Sequence, residues 1–405
     1  MPLEKPVIPL PSAGKVLADF GGTYGASAIV AFLFAATGPI AILLSVGARG
    51  GLSEADMASW IFGSFFLGGL VSIAMSVLYR QPLVFFWTIP GAVLLGPALG
   101  HLSFPEVIGA FVATGLLMLV LGLSGWVRRA MEVVPMPIVM AMVAGVFLRF
   151  GVELVLAFRE DLRVALPMTA AFLAFSVVPG LARVIPPLIG ALLAGAAVVW
   201  WFGGFKPPAA ALVAIVQPQL YVPQFSWAAM VELVVPLAIT VLVVQNGQGI
   251  AVLAASGHRA PVNTITVACG ASSILTAFVG AVSTCLTGPV NAIISSSGEK
   301  QRHYTAAILV GLLALAFALF APLFTRLLLA TPPAFVATLA GLAMLRVLQT
   351  AFTVSFGGRY SFGALVCFLI TVAEVPLFRI GAPFWGLVLG IAASWILERG
   401  DWRDR

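Results

Sequence analysis

Apolar residues run along the chain in long continuous stretches, broken by short clusters of Gly, Pro and charge. The stretches lack the alternation at every second residue that barrel strands show, so they predict helices. They fall at 20–47, 57–79, 83–99, 105–126, 135–157, 164–181, 185–202, 228–250, 262–280, 282–297, 304–327, 333–355, 361–376 and 383–398. A crossing needs ~20 apolar residues, so these read as fourteen membrane spans. The longest polar-leaning connection, at 203–226, is rich in Pro and Ala and leaves no room for a soluble domain.

Composition agrees with the pattern. Of 405 residues, 61% are apolar and 9% charged, whereas soluble domains are about a quarter charged. A water-soluble enzyme is therefore excluded, and so is disorder, which requires low hydrophobicity and high net charge. The formal charge of +6 comes from basic residues scattered singly among the connections, so it signals topology and no nucleic acid. With the N-terminus in the cytoplasm, thirteen Lys and Arg fall on the inner side, Arg128, Arg183 and Arg405 among them. Six fall outside: Arg49, Arg159, Arg163, Lys206, Arg326 and Arg379. The positive-inside rule then places both termini in the cytoplasm. Residues 1–19 read as a cytoplasmic tail without the marks of a signal peptide, and 399–405 as a second tail.

Two spans stand apart. Residues 83–99 number 17 and carry Pro90, Gly91, Gly96 and Pro97. As pure helix they reach only ~25 Å, short of a ~30 Å hydrocarbon core; a short extended stretch followed by a half-helix fits better. The tenth span shares the punctuation: Thr88-Ile89-Pro90 and Thr287-Gly288-Pro289 lie 199 positions apart. Thr is a good helix cap and Pro is tolerated in a first turn, so both motifs predict extended-to-helix transitions inside the membrane. Each is the third span in a block of seven. Because seven is odd, the second block enters from the opposite face, and the two half-helices start toward each other near the midplane. Broken helices at matching places in two halves point to a transporter binding site.

Helix starts offer N–H donors and positive dipole ends, which suit an anion. Polar side chains at depth cluster on matching spans: Gln245, Asn246 and Gln248 on the eighth, and Thr23, Tyr24 and Ser27 on the first. Thr88, Thr287 and Asn291 mark the two breaks. Buried amides need partners, and a ligand is one way to supply them; interhelical packing is another. Arg149 and Glu153 stand four apart on one helical face; Glu232, Arg346 and Glu374 are further ionisable groups in or near spans. His101, His258 and His303 fall in connections, and Cys269, Cys285 and Cys367 read as packing residues without metal spacing. No nucleophile–base set, nucleotide loop or metal cluster is present in the sequence, so no catalysis, cofactor or metal is expected.

Three segments carry a resemblance: Trp87-Thr88-Ile89-Pro90-Gly91-Ala92, Gln245-Asn246-Gly247-Gln248-Gly249-Ile250, and Gly381-Ala382-Pro383-Phe384-Trp385-Gly386. Through them, in the same order over most of its length, the chain resembles the bacterial benzoate transporter family, proton symporters of the inner membrane. That family is similar in architecture to uracil permeases and nucleobase/ascorbate transporters. The resemblance implies an all-α polytopic protein with a seven-plus-seven inverted repeat. It implies a core domain of spans 1–4 (20–126) and 8–11 (228–327), and a gate domain of spans 5–7 (135–202) and 12–14 (333–398). Carried onto this chain, the substrate-binding candidates are Tyr24, Ser27, Thr88, Gln245, Asn246, Thr287 and Asn291. Uracil permeases place acids on the eighth and tenth spans, where this chain has amides and Thr, a neutral site that agrees with a carboxylate ligand. A coupled proton would ride on Glu153, Glu374 or Glu232. The expected partners are a small organic anion, a proton and the lipid bilayer, with a homodimer left open. Uniport, exchange, channel-like conduction of anions and nucleobase transport stand as alternatives to symport of an aromatic carboxylate.

Overall fold

In the computed structural model, residues 3–127, 129, 135–178, 186–205, 214–296, 298–375, 377–378 and 381–403 are described. Arg128, Arg183, Lys206, Arg379 and Arg405 from the charge pattern lie outside them, as do 179–181 of the sixth span and 185 of the seventh.

The first half runs α1 (Ala13–Asp19), α2 (Gly22–Ala35), α3 (Gly38–Arg49), α4 (Glu54–Tyr79), β1 (Phe85–Trp87), α5 (Ile89–Ala98), α6 (Phe104–Ser124), α7 (Met136–Glu160), α8 (Leu162–Val177) and α9 (Pro187–Trp201). The second half runs α10 (Trp227–Ala255), α11 (Val262–Ala277), β2 (Thr284–Leu286), α12 (Gly288–Ile294), α13 (His303–Leu319), α14 (Ala321–Leu329), α15 (Pro333–Phe356), α16 (Ser361–Ala373), α17 (Ala382–Leu397) and α18 (Arg399–Arg403). Among the described residues, seven helical stretches are long and apolar enough to cross a membrane, Gly22–Arg49 counting as one. Six shorter apolar helices and the half-helix α12 complete the fourteen crossings expected. The tail expected at 1–19 contains the short helix α1, started by the Ser12 cap and held at Asp19 by Lys15, Arg80 and Tyr304.

The third and tenth crossings are broken as their length requires. β1 and β2 pair antiparallel with Phe85 opposite Leu286, Phe86 opposite Cys285 and Trp87 opposite Thr284. The ladder extends by Thr88 N–H to Ser283 O and Thr287 N–H to Val84 O, both 3.0 Å. Phe86 and Cys285 are themselves 199 positions apart, so the pseudo-twofold axis of the repeat passes between them. α5 and α12 therefore leave the paired strands in opposite directions.

Backbone at this depth must be satisfied by protein, and small polar residues do it. Ser72 of α4 accepts from Phe85 N–H at 2.8 Å, and Ser76 accepts from Leu83 N–H at 3.1 Å. On the other strand, Ser273 of α11 accepts from Thr284 N–H at 2.9 Å. Glycine permits the close approach: a Cβ on Gly68 would lie 2.6 Å from Phe85 O, and one on Gly249 would lie 2.7 Å from the Leu286 side chain.

The helices pack in two groups. α2, α4, α6, α10, α11, α12 and α13 pack among themselves around the strands, while α7, α8, α9, α15, α16 and α17 pack with one another. α3 and α5 touch both groups, and α10 also reaches α7 and α17 and α2 reaches α9 across the division.

Candidate functional site

A cleft opens where the strands meet the break between α2 and α3. Its walls are Phe34, Ala35, Pro39, Phe86, Trp87, Ile89, Pro289 and Val290, and its polar members are Gln245 and Thr287. It holds about 30 Å³ for water centres, room for a water or two. An aromatic acid needs the walls to move apart.

The polar pair is positioned by local irregularities. Thr240–Asn246 of α10 is a π-helical turn, a widening that recurs at functional sites, and it carries Gln245 to the cleft. Gln245 is 7% exposed, and among the described residues no protein group hydrogen-bonds its amide. Thr287 precedes α12 but its hydroxyl caps nothing. The Thr287 Oγ1 is buried without a hydrogen-bond partner. An amide and a buried hydroxyl, neither with a hydrogen-bond partner among the described residues, belong to side chains that line one apolar space. Leaving such groups unpaired costs roughly 1–3 kcal/mol each, so an acceptor-rich guest is favoured there.

The other sequence candidates are placed differently. Thr88 caps α5 by accepting from Gly91 N–H at 3.2 Å, and donates to Thr240 Oγ1 at 3.2 Å. Asn246 points to the strands: its Oδ1 accepts from Leu286 N–H at 2.8 Å, and its amide approaches Cys269. Asn291 binds β1, accepting from Val84 N–H at 3.0 Å and donating to Val84 O at 3.1 Å and Thr287 O at 2.7 Å. Tyr24 lies beside the connection before α13, accepting from Glu299 N–H at 2.8 Å under the Arg302 guanidinium. Ser27, one turn on from Tyr24 along α2, is half-buried and is not among the residues lining the cleft. The apolar walls were not singled out from sequence. Trp87 and Phe86 precede the Thr-x-Pro break directly, which is the one local signal for them.

The three proton candidates all lie away from the cleft. Glu153 pairs with Arg49 at 3.2 Å and Arg149 at 3.1 Å, and Arg149 also reaches Glu374 at 3.2 Å. Glu232, 5% exposed, meets His101 Nε2 at 2.8 Å. The other two histidines also meet: His258 is buried, its Nε2 3.2 Å from Nδ1 of His303, the first residue of α13. Burial, with His303 and Lys300 alongside, lowers the His258 pKa to about 4, so it is neutral at pH 7. Cys269, Cys285 and Cys367 are buried and free.

A family model described as benzoate membrane transport protein matches residues 22–396. The chain is 29% identical over 357 residues to inner membrane protein YdcO of Escherichia coli strain K12, covering 86% of this chain and 89% of that one. It is 26% identical over 376 residues to the benzoate membrane transport protein of Acinetobacter baylyi, covering 91% and 93%. Among solved structures, the transmembrane domain of a cyanobacterial bicarbonate transporter, BicA, superposes with TM-score 0.62 at 14% identity over 94% of this chain and 98% of that one. That last likeness is one of fold: seven spans followed by seven inverted.

Proposed function

Because the chain belongs to the benzoate membrane transport protein family, we propose that it imports benzoate or a related aromatic carboxylate across the inner membrane by proton symport and alternating access. The observation that carries the substrate class is the pair of unpartnered donors, Gln245 and Thr287, set in an apolar cleft. The carboxylate accepts from the Gln245 amide and the Thr287 hydroxyl. The ring lies against Trp87, Phe86 and Phe34. α12 has only seven residues and Thr88 already caps α5, so side chains rather than helix dipoles supply most of the recognition. The cleft is too small for the guest as it stands, which supports a cycle in which a core domain (20–126 with 228–327) moves against a gate domain (135–202 with 333–398). Both termini face the cytoplasm, in line with thirteen basic residues inside against six outside.

Among the described residues no acid lines the cleft, so the proton binds elsewhere. Glu153 and Glu374 are each engaged in ion pairs with arginine, a permanent cation. Glu232 is buried, and among the described residues its ion-pair partner is a histidine, His101, with no arginine or lysine paired to it. Glu232 is therefore the best placed of the three. Proteoliposomes carrying the protein are expected to take up labelled benzoate, faster under an inward proton gradient. Glu232→Gln is expected to retain benzoate exchange while losing at least about tenfold of the gradient-driven rate, as for loss of a functional proton site. The neutral cleft also favours a second reading, exchange or uniport, and uptake by the wild type that ignores the gradient would select it and remove symport.

A further inference from the structure

Ion pairs within this molecule mostly stay inside one helix group. Near the face carrying the termini, Arg80–Asp19 joins members of the first group and Arg359–Asp401 members of the second. Among the described residues, Arg49–Glu153 is the ion pair that ties α3, the end of the first crossing, to α7 of the second group. It lies on the opposite face, since Arg49 ends the first crossing. Arg149 binds the same Glu153 oxygen and carries the chain on to Glu374, so four charges from α3, α7 and the end of α16 form one neutral series. A second contact stands on the same face: the Glu232 carboxylate of α10 lies against Gly381, the residue that precedes α17. A Cβ on Gly381 would sit 2.4 Å from Glu232 Oε1, so the fit is tight. Beneath these bridges Val93 and Pro97 of α5 close on Phe150 and Pro383, leaving about 10 Å³. That is at most the room one water needs.

We propose that the Arg49–Glu153–Arg149–Glu374 series is a latch: it holds the two groups together on the face opposite the termini, and must part before the cleft opens to that face. The inference rests on the core-and-gate reading above, but not on the identity of the substrate. Every member of the series is partly exposed, so its worth lies in bridging two bodies that are otherwise joined there by apolar packing and the Glu232–Gly381 contact.

The test uses the full-length protein in detergent with Val93→Cys as reporter, since Val93 is 4% exposed and the three native cysteines are buried. Labelling by a charged maleimide is followed with and without a latch substitution. Glu153→Gln and, separately, Arg49→Gln are expected to raise the labelling rate about fivefold, the population shift for loss of one partly exposed pair. Arg49→Lys, which keeps the charge, is expected to stay within about twofold of the parent. If one neutral variant fails to yield a monodisperse protein, the other gives the same reading. Rates unchanged by both, or raised equally by Arg49→Lys, would overturn the latch. Benzoate binding measured on the same samples separates the two claims: absent binding with faster labelling would retire the substrate and keep the latch.

Discussion

Gln245→Leu is expected to weaken benzoate binding roughly ten- to a hundredfold while leaving the thermal midpoint of the purified protein in place. A hydrogen bond to a charged group is worth about 1.5–3 kcal/mol, which converts to that range in Kd. The stability half of the expectation follows from the Gln245 amide having no protein partner among the described residues: its loss breaks nothing. Thr287→Val removes the second donor at nearly constant volume and should act in the same direction. Its hydroxyl is likewise unpaired, so the substitution removes a buried orphan and the apo protein should be no less stable. Titration calorimetry with benzoate, beside a melting curve, reads both quantities. Wild-type affinity in both variants would mean that the carboxylate binds elsewhere.

The neighbouring amides should behave in the opposite way. Asn291→Ala removes three hydrogen bonds to Val84 and Thr287. Val84 O still accepts from Thr287 N–H, but Val84 N–H is left without an acceptor in a dry interior. An orphan of this kind costs about 1–3 kcal/mol, and the side-chain cavity adds to it. A total of about 3 kcal/mol is expected, read as a thermal midpoint lower by about 3–4 °C for a chain of this length. Asn246→Ala should follow, because Leu286 N–H loses its acceptor. The contrast matters more than either value. If Asn291→Ala and Gln245→Leu shift the midpoint equally, the division of the amides into ligand-facing and strand-facing is wrong.

That division could not be read from the sequence. Apolar run lengths disclosed the fourteen crossings, and the 17-residue third span, too short as a helix, disclosed the break. The repeated Thr-x-Pro placed both breaks at the start of a half-helix. What the sequence leaves hidden is rotation. Gln245 and Asn246 are adjacent, and a π-helical turn departs from the usual 3.6 residues per turn, so periodicity alone does not tell which of them faces the cleft. Tyr24 shows a different limit. It stands ten residues before Phe34, or ~15 Å along a helix, so membership of the correct span did not put it at the correct depth. The two Thr residues show a third. Equivalent in sequence, one caps its helix and the other does not, and only the packing of Thr240 against Thr88 distinguishes them. The pairing of β1 with β2 was also out of reach, because three-residue strands carry no periodic signal. The partners of that sheet, Ser72, Ser76 and Ser273, read as ordinary small residues of membrane helices.

Competition between benzoate and benzamide for the purified wild-type protein tests the central claim most directly. The two share size, ring and shape, but one end is an anion with four acceptor sites and the other a neutral amide that brings its own donors. Two converging donors in an apolar cleft should prefer benzoate by about a hundredfold, since each hydrogen bond loses the charge and one meets a donor in place of an acceptor. Equal affinity for the two would contradict a cleft built to take a carboxylate.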